Sequence, residues 1–167
     1  MGEVSNLNEG AATERVKEMA EGIDFCMFCT MDGNELQARP MSTQKVDDDG
    51  NIWFLSDKDS NKNKEIQLNP AVHLMYGKGH EMFLSLKGEA EILFDKEIIK
   101  DLWNPHIKVW FTEGVDDPRI SIIKVKYKSG HYWDSKNGRM IQLAKMAASL
   151  LSGKTMDDSI EGELKNA

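Results

Sequence analysis

Between residues 23 and 94 the chain is a succession of short β-rich runs broken by turn residues, and this succession constrains the fold more than any other feature. The runs are Phe25–Met31, Glu35–Val46, Asn51–Ser56, Val72–Gly77 and Glu81–Phe94. Asp32-Gly33-Asn34 and Asp49-Gly50-Asn51 supply tight turns between them, which makes an antiparallel meander. A sixth run, Ile120–Asp134, alternates: Ile123, Val125 and Tyr127 face one way while Lys124, Lys126 and Lys128 face solvent.

Helices flank these runs. Ala12, Val16, Met19, Ala20 and Ile23 recur at helical spacing, so a helix is expected over 11–21, with Gly22 as its left-handed C-cap and the stripe turned to the core. Ser60–Leu68 reads as helical up to Asn69-Pro70, and Lys96–Trp103 up to Asn104-Pro105. Val109–Pro118 reads as an ordered loop. Arg139–Leu151 is the last expected helix, with Met140, Leu143, Ala144, Ala147, Leu150 and Leu151 as its stripe and Gly153 at its end. No repeat and no long linker divides the 167 residues. The expected organisation is one domain over 1–167: the N-terminal helix, a barrel core over 23–134, the C-terminal helix over 139–151 and an acidic tail over 154–167. About six antiparallel strands with helices at the edges and no βαβ rhythm give a mainly β class, a β-barrel with helical additions.

A chain of this length buries roughly 70% of its unfolded surface, so it needs no metal or disulfide staple. Its 28 acidic residues exceed its 21 lysines and arginines, for a net charge of −7. That balance opposes nucleic acid as a partner, because phosphate neutralisation needs a basic face. The acid sits in Asp47-Asp48-Asp49 and between Asp157 and Glu163, read as a solvated loop and a frayed terminus. No apolar run reaches the length of a membrane span and no signal-peptide layout opens the chain, so a cytoplasmic protein is expected. Cys26 and Cys29 have redox-motif spacing. They lie in an apolar strand, however, where residues three apart point to opposite faces, and no helix N-terminus is at hand to lower a thiol pKa. They are read as structural.

Few kinds of chemistry are marked. There is no Gly-x-Ser-x-Gly, no P-loop and no Gly-x-Gly-x-x-Gly. His73, His80, His106 and His131 are scattered, without the close pairing of a metal site, so no metal is expected. One grouping suits an anion. Arg39-Pro40-Met41-Ser42-Thr43 lies on one strand and Trp53-Phe54-Leu55-Ser56 on the next, followed by Lys58, Ser60 and Lys62 at a helix entry. A phosphate monoester carries nearly two charges and accepts several hydrogen bonds. An arginine fork, a lysine, serine hydroxyls and helix N-terminal amides can satisfy it. On composition alone a solvated basic strand edge is the preferred account of the same residues.

At these residues the sequence resembles the pyridoxamine 5′-phosphate oxidase-like flavoproteins, most closely their bacterial general stress protein branch. The matching pieces are Arg39-Pro40-Met41-Ser42, Ile52-Trp53-Phe54-Leu55-Ser56-Asp57, Ser60-x-Lys62-x-x-Glu65-Ile66 and Asn69-Pro70. Leu86-Lys87-Gly88-Glu89-Ala90, Trp110-Phe111 with Gly114 to Pro118, and Tyr132-Trp133-Asp134 follow in order. The resemblance implies an FMN-binding split β-barrel that works as a homodimer, with flavin mononucleotide in clefts between subunits. It assigns Arg39 and Lys62 to the phosphate, helped by Ser56 and Ser60. Pro40, Met41, Ser42 and Thr43 would run beside the isoalloxazine ring, with Phe54 and Leu55 completing the wall. Trp133 would approach the flavin from the partner subunit, or else pack in the barrel core in phase with Val125 and Tyr127.

The departures bear on activity. Arg139 falls near a substrate-gripping arginine of the true oxidases, but Ile141 stands where they carry a histidine. Gln44 replaces a lysine, and Phe83 lies near the place of a glutamine. Vitamin B6 oxidation is not expected. What remains is a flavin-dependent oxidoreductase acting on an unidentified small molecule, a non-enzymatic flavin-binding or flavin-sensing stress protein, or a binder of another planar cofactor such as heme or a deazaflavin.

Overall fold

A computed structural model describes residues 3–135 and 159–166. After two short strands, β1 (Glu3–Val4) and β2 (Leu7–Asn8), come helix α1 (Glu9–Ile23), β3 (Phe25–Asp32), β4 (Glu35–Ser42), β5 (Lys45–Val46) and β6 (Asn51–Asp57). Helix α2 (Asn61–Leu68), β7 (Ala71–Lys78), β8 (Met82–Leu93), helix α3 (Lys96–Leu102), two 3₁₀ turns (Pro105–Val109 and Gly114–Asp116), β9 (Ile120–Ser135) and β10 (Ser159–Lys165) follow. The expected helix over 139–151 lies outside the described residues.

The strands form one sheet in the order β1-β10-β9-β8-β7-β3-β4, with β6 on β9 and β5 on β6. It curls without closing, and β4 is its last strand. The expected run Glu35–Val46 is two strands. After Ser42 the chain leaves β3, the Thr43 amide bonds the Asp24 carbonyl (2.8 Å), and the Gln44 amide bonds that of Trp53 (2.9 Å). Lys45–Val46 then pairs with β6. The chain therefore crosses the opening, and β4 and β6 face one another across a split. The fold is the expected mainly β split barrel.

The α1 stripe packs inside as expected: Ala12, Val16, Met19 and Ala20 are fully buried. Its end differs. The helix runs through Gly22, and Asp24, with φ 76°, takes the left-handed position. The hairpin turns carry positive φ at Gly33 (59°) and Gly50 (80°), as glycine allows.

Inside the curl, Phe28, Phe54, Leu74, Leu84, Leu86, Ile123, Val125 and Tyr127 form the main apolar core. A smaller cluster of Ile99, Leu102, Ile107, Phe111, Ile120 and Ile122 packs on the outer side of β6 and β9. Cys26 and Cys29 are free and buried, and burial pushes the Cys26 thiol up to about 12, as suits structural cysteines.

In the second half one expectation fails and one of two alternatives is excluded. The acidic stretch from Asp157 to Glu163 does not fray over its described part. Ser159–Lys165 pairs antiparallel with β9 and parallel with β1 and β2. Leu164 points inward and is fully buried, while Glu161 and Glu163 alternate with it. Trp133 does not share the inward phase of Val125 and Tyr127. The register shifts between Lys87 and Gly88, so that Gly88 opposes Tyr127 and Lys87 opposes Ser129. This bulge inserts one residue and reverses the alternation, turning Tyr132 inward and Trp133 outward. Gly88 permits the close approach, since a Cβ there would lie 2.4 Å from the Lys126 carbonyl oxygen.

Candidate functional site

The split between β4 and β6 holds a cavity of about 390 Å³. Arg39, Pro40, Met41 and Ser42 of β4 form one wall, with Phe25 and Gln44 at its end. Leu55, Ser56 and Asp57 of β6 form the second, Lys62 of α2 sits at one end, and Ile107, Trp110 and Phe111 make a third wall. The volume and largely apolar lining with a few convergent polar groups fit a small-molecule site.

The polar end is built by α2. Its N-cap is Ser60, and its first turn leaves backbone amides without helical acceptors. Glu65, nearly buried on the inner side of this helix, accepts from Arg39 Nη2 at 2.8 Å. Arg39 Nη1 also donates to the Thr30 hydroxyl, which in turn donates to Glu65. Arg39 is thus fixed at the cavity edge by a carboxylate of the protein itself. Lys62 has no such partner among the described residues. Burial and the Arg39 charge pull its pKa below the usual lysine value, against the attraction of Asp57 and Glu65. Asp57 lies 3.9 Å from the Arg119 guanidinium. With Arg39 paired with Glu65 and Asp57 at that distance from Arg119, Lys62 is the cavity cation without an ion pair among the described residues.

Ser56 and Ser60 are tied to one another through Asn63. The Ser56 hydroxyl donates to Asn63 Oδ1 at 2.8 Å and that of Ser60 at 3.2 Å, while Asn63 Nδ2 donates to Ser121 (2.8 Å) and Ser121 to the Ser56 carbonyl (3.0 Å). A hydroxyl has one proton to give, so these serines brace β6, α2 and β9 against each other. The other end is apolar apart from Gln44, which accepts from Asn104 Nδ2 (2.8 Å) and donates to the Ser42 carbonyl (3.0 Å). That link joins the strand crossing to the segment bearing Trp110.

Of the residues singled out in the sequence, Arg39, Pro40, Met41, Ser42, Leu55, Ser56 and Lys62 converge on this cavity. Ser60 stands behind it at the helix cap. Thr43 is buried with its hydroxyl 2.8 Å from that of Tyr76. Phe54 points into the barrel, fully buried and edge-on to Phe28 at 5.2 Å, because it alternates with Leu55. Trp133 lies on the outer face of β9, tilted against His131 at 4.4 Å, and does not line the cavity. The walls not assigned from sequence are Phe25, Gln44, Asp57, Ile107, Trp110 and Phe111. Trp110-Phe111 was visible as a motif, but nothing in its spacing tied it to a site. Among the described residues no group of three or more histidine, cysteine or acidic side chains could hold a metal. No helix there is long and apolar enough to cross a membrane.

The sequence matches the family described as pyridoxamine 5′-phosphate oxidase like over residues 11–157. Protein bli-3 of Neurospora crassa is 25% identical over 142 residues, which span 78% of this chain and 68% of that protein. A protein from Jannaschia sp. CCS1, provisionally designated general stress protein 26, has a similar solved structure, with a TM-score of 0.77 at 24% identity over 92% of this chain and 97% of its own. The general stress FMN/FAD binding protein of Xanthomonas citri gives a TM-score of 0.65 at 25% identity, covering 76% and 90%.

Proposed function

The chain belongs to the pyridoxamine 5′-phosphate oxidase-like family, and on that footing we propose that it binds flavin mononucleotide in the cavity between β4 and β6. The observation that carries the reading is Lys62: a half-buried ammonium with no ion-pair partner among the described residues, beside Arg39, at one end of an otherwise apolar cavity. A phosphate dianion there would relieve the repulsion between the two cations and meet the free amides of the α2 first turn. The planar ring would lie along Pro40, Met41 and Ser42, between Leu55 on one side and the Trp110 segment on the other. A flavin bound there would supply hydride or electron transfer, while this chain supplies position, electrostatics and exclusion of water.

The reaction class is a flavin-dependent oxidoreduction of a small molecule. Vitamin B6 oxidation is not part of the proposal, because Ile141 replaces the substrate-gripping histidine, although that segment lies outside the described residues. A cytoplasmic flavin-storing or flavin-sensing stress protein is the second reading, favoured because Lys62 is taken by the phosphate in this proposal and Asp57 stands against Arg119, which leaves no other acid or base among the described cavity side chains. Titration of the apoprotein with flavin mononucleotide and riboflavin tests the site. Tighter binding of the phosphorylated ligand is expected, and equal affinities would remove the phosphate assignment.

The binding unit is a homodimer in this proposal. Phe25, Met27, Met75, Phe83 and Trp133 are partly exposed on the outer face of the neighbouring strands β3, β7, β8 and β9, and Phe25 also lines the cavity. Such a contiguous apolar band suits an interface. A second copy on it would cover the cavity mouth and bring Trp133 toward its partner's flavin. Light scattering is expected to give twice the chain mass, and a monomer that retains flavin would contradict the dimer.

A further inference from the structure

The cavity has two walls that no strand pairing joins: Asp57, at the end of β6 beside the cationic end, and the Trp110-Phe111 turn at the apolar end. One residue outside the cavity touches both. Arg119, just before β9, is clamped to the buried Asp117 by Nε to Oδ1 (3.0 Å) and Nη2 to Oδ2 (2.7 Å). Hydrogen bonds from Arg119 hold the Asp117 carboxyl at about 2, so the pair stays charged throughout the pH range of a folded protein. From this anchor Arg119 Nη2 reaches the Trp110 carbonyl (3.3 Å) and its guanidinium lies 5.8 Å from the Phe111 ring centre. Its Nη1 stands 3.9 Å from Asp57, and its carbonyl accepts the Lys58 amide at 2.8 Å, fixing the turn that leads into α2.

Two consequences follow from that geometry. Trp110 is 61% exposed, so burial of the indole does not fix its place. The turn is held by Ile107 and Phe111 beneath it and by Arg119 beside it. Asp57 is a carboxylate on the wall of a site read as anionic-ligand binding, and it would repel a phosphate unless its charge were offset. Arg119, which shares its charge between Asp117 and Asp57, is the cation that ion-pairs with it among the described residues.

We propose that Arg119 is a positioning residue for this site, holding the aromatic wall that recognises a planar ring system while masking the Asp57 charge so that a phosphate can settle beside Lys62. This rests on the flavin reading above. It adds that ring recognition and phosphate recognition share one residue, which need not touch either part of the ligand.

Arg119→Gln alone would strand the buried Asp117 carboxylate, so the test uses Asp117→Asn/Arg119→Gln, which removes both charges. Dissociation constants for flavin mononucleotide and riboflavin are measured for the parent, this pair, Asp57→Asn and the triple variant, with thermal unfolding recorded for each. The paired variant is expected to bind riboflavin several-fold more weakly, and to lose a further factor of about two to five for flavin mononucleotide, the size expected of an exposed charge pair. Adding Asp57→Asn should restore the ratio between the two flavins and leave riboflavin binding weak. Trp110→Phe should cost less affinity in the paired variant than in the parent, as coupled positions do. A lowered melting temperature with both constants unchanged would make Arg119 merely structural and overturn the inference alone, as would a flavin ratio that Asp57→Asn fails to restore. A parent that binds neither flavin would overturn the site reading and this inference with it.

Discussion

The two apolar clusters of this molecule are fed by opposite faces of the same two strands, and they differ in what they protect. On β6, Ile52 and Phe54 enter the barrel core while Trp53 and Leu55 join the smaller cluster outside. On β9, Ile123 and Val125 go inward while Ile120 and Ile122 go outward. The inner cluster holds the fold and meets the cavity at Met41 of β4. The outer one ends in Leu55, Ile107 and Phe111, which are also cavity walls. Alternation along a strand therefore separates stability from binding, one residue at a time.

Adjacent substitutions on β6 test that separation. Phe54→Ala empties a fully buried ring site and should cost about 3–5 kcal/mol of stability in a denaturant titration. Flavin affinity of the folded fraction should be unaltered. Leu55→Ala, at a half-buried wall position, should cost roughly 1–2 kcal/mol and weaken flavin mononucleotide and riboflavin alike. Equal stability losses, or a flavin defect confined to Phe54→Ala, would break the comparison. Glu65→Gln sharpens it from the polar end. Removing a carboxylate that accepts from Arg39 should destabilise the fold by about 1.5–3 kcal/mol, while flavin mononucleotide binds more tightly because Arg39 loses its resident counter-charge. Weaker binding would mean that the Arg39–Glu65 pair must be intact to hold the ligand.

The smallest expected effect is a pH dependence carried by the phosphate alone. Riboflavin serves as the reference, so the quantity followed is the ratio of the two affinities. It should fall below about pH 6, where the phosphate dianion takes up a proton and becomes a monoanion. It should fall again on the alkaline side, where Lys62 loses its proton at a pH below the usual lysine range. A ratio flat across both limbs would separate Lys62 from the phosphate.

What was legible in the sequence follows from periodicity. The strands, their turns and the α1 stripe were readable because one face of each element is apolar at its own period. Three features escaped that logic. The bulge at Gly88 reversed the phase of β9, so Trp133 could not be placed by counting from Tyr127. Strand β10 carries only Ile160 and Leu164 as apolar residues, with Gly162 between them and Ser159, Glu161, Glu163 and Lys165 at the other positions. Gly162 passes the N-terminal segment closely enough that a Cβ would lie 1.9 Å from the Ser5 carbonyl oxygen, a constraint visible only in three dimensions. The aromatic wall, Trp110-Phe111, lies between two 3₁₀ turns and has no useful period. At the site, Arg39 and Lys62 were candidates for a phosphate through their chemistry and the family resemblance, whereas Glu65, Asp57 and Arg119 belong to pairings that only the fold creates.

The central claim is that Lys62 meets a phosphate, and calorimetric titration of Lys62→Ala beside Lys58→Ala tests it most directly. Loss of one charge-assisted contact should weaken flavin mononucleotide by about 1.5–3 kcal/mol, roughly tenfold to a hundredfold, and leave riboflavin binding and the melting temperature close to those of the parent. Lys58→Ala, which removes a neighbouring lysine that does not line the cavity, should bind both flavins like the parent. If Lys62→Ala also binds flavin mononucleotide like the parent, the phosphate does not lie beside Lys62 and the account of this site is wrong.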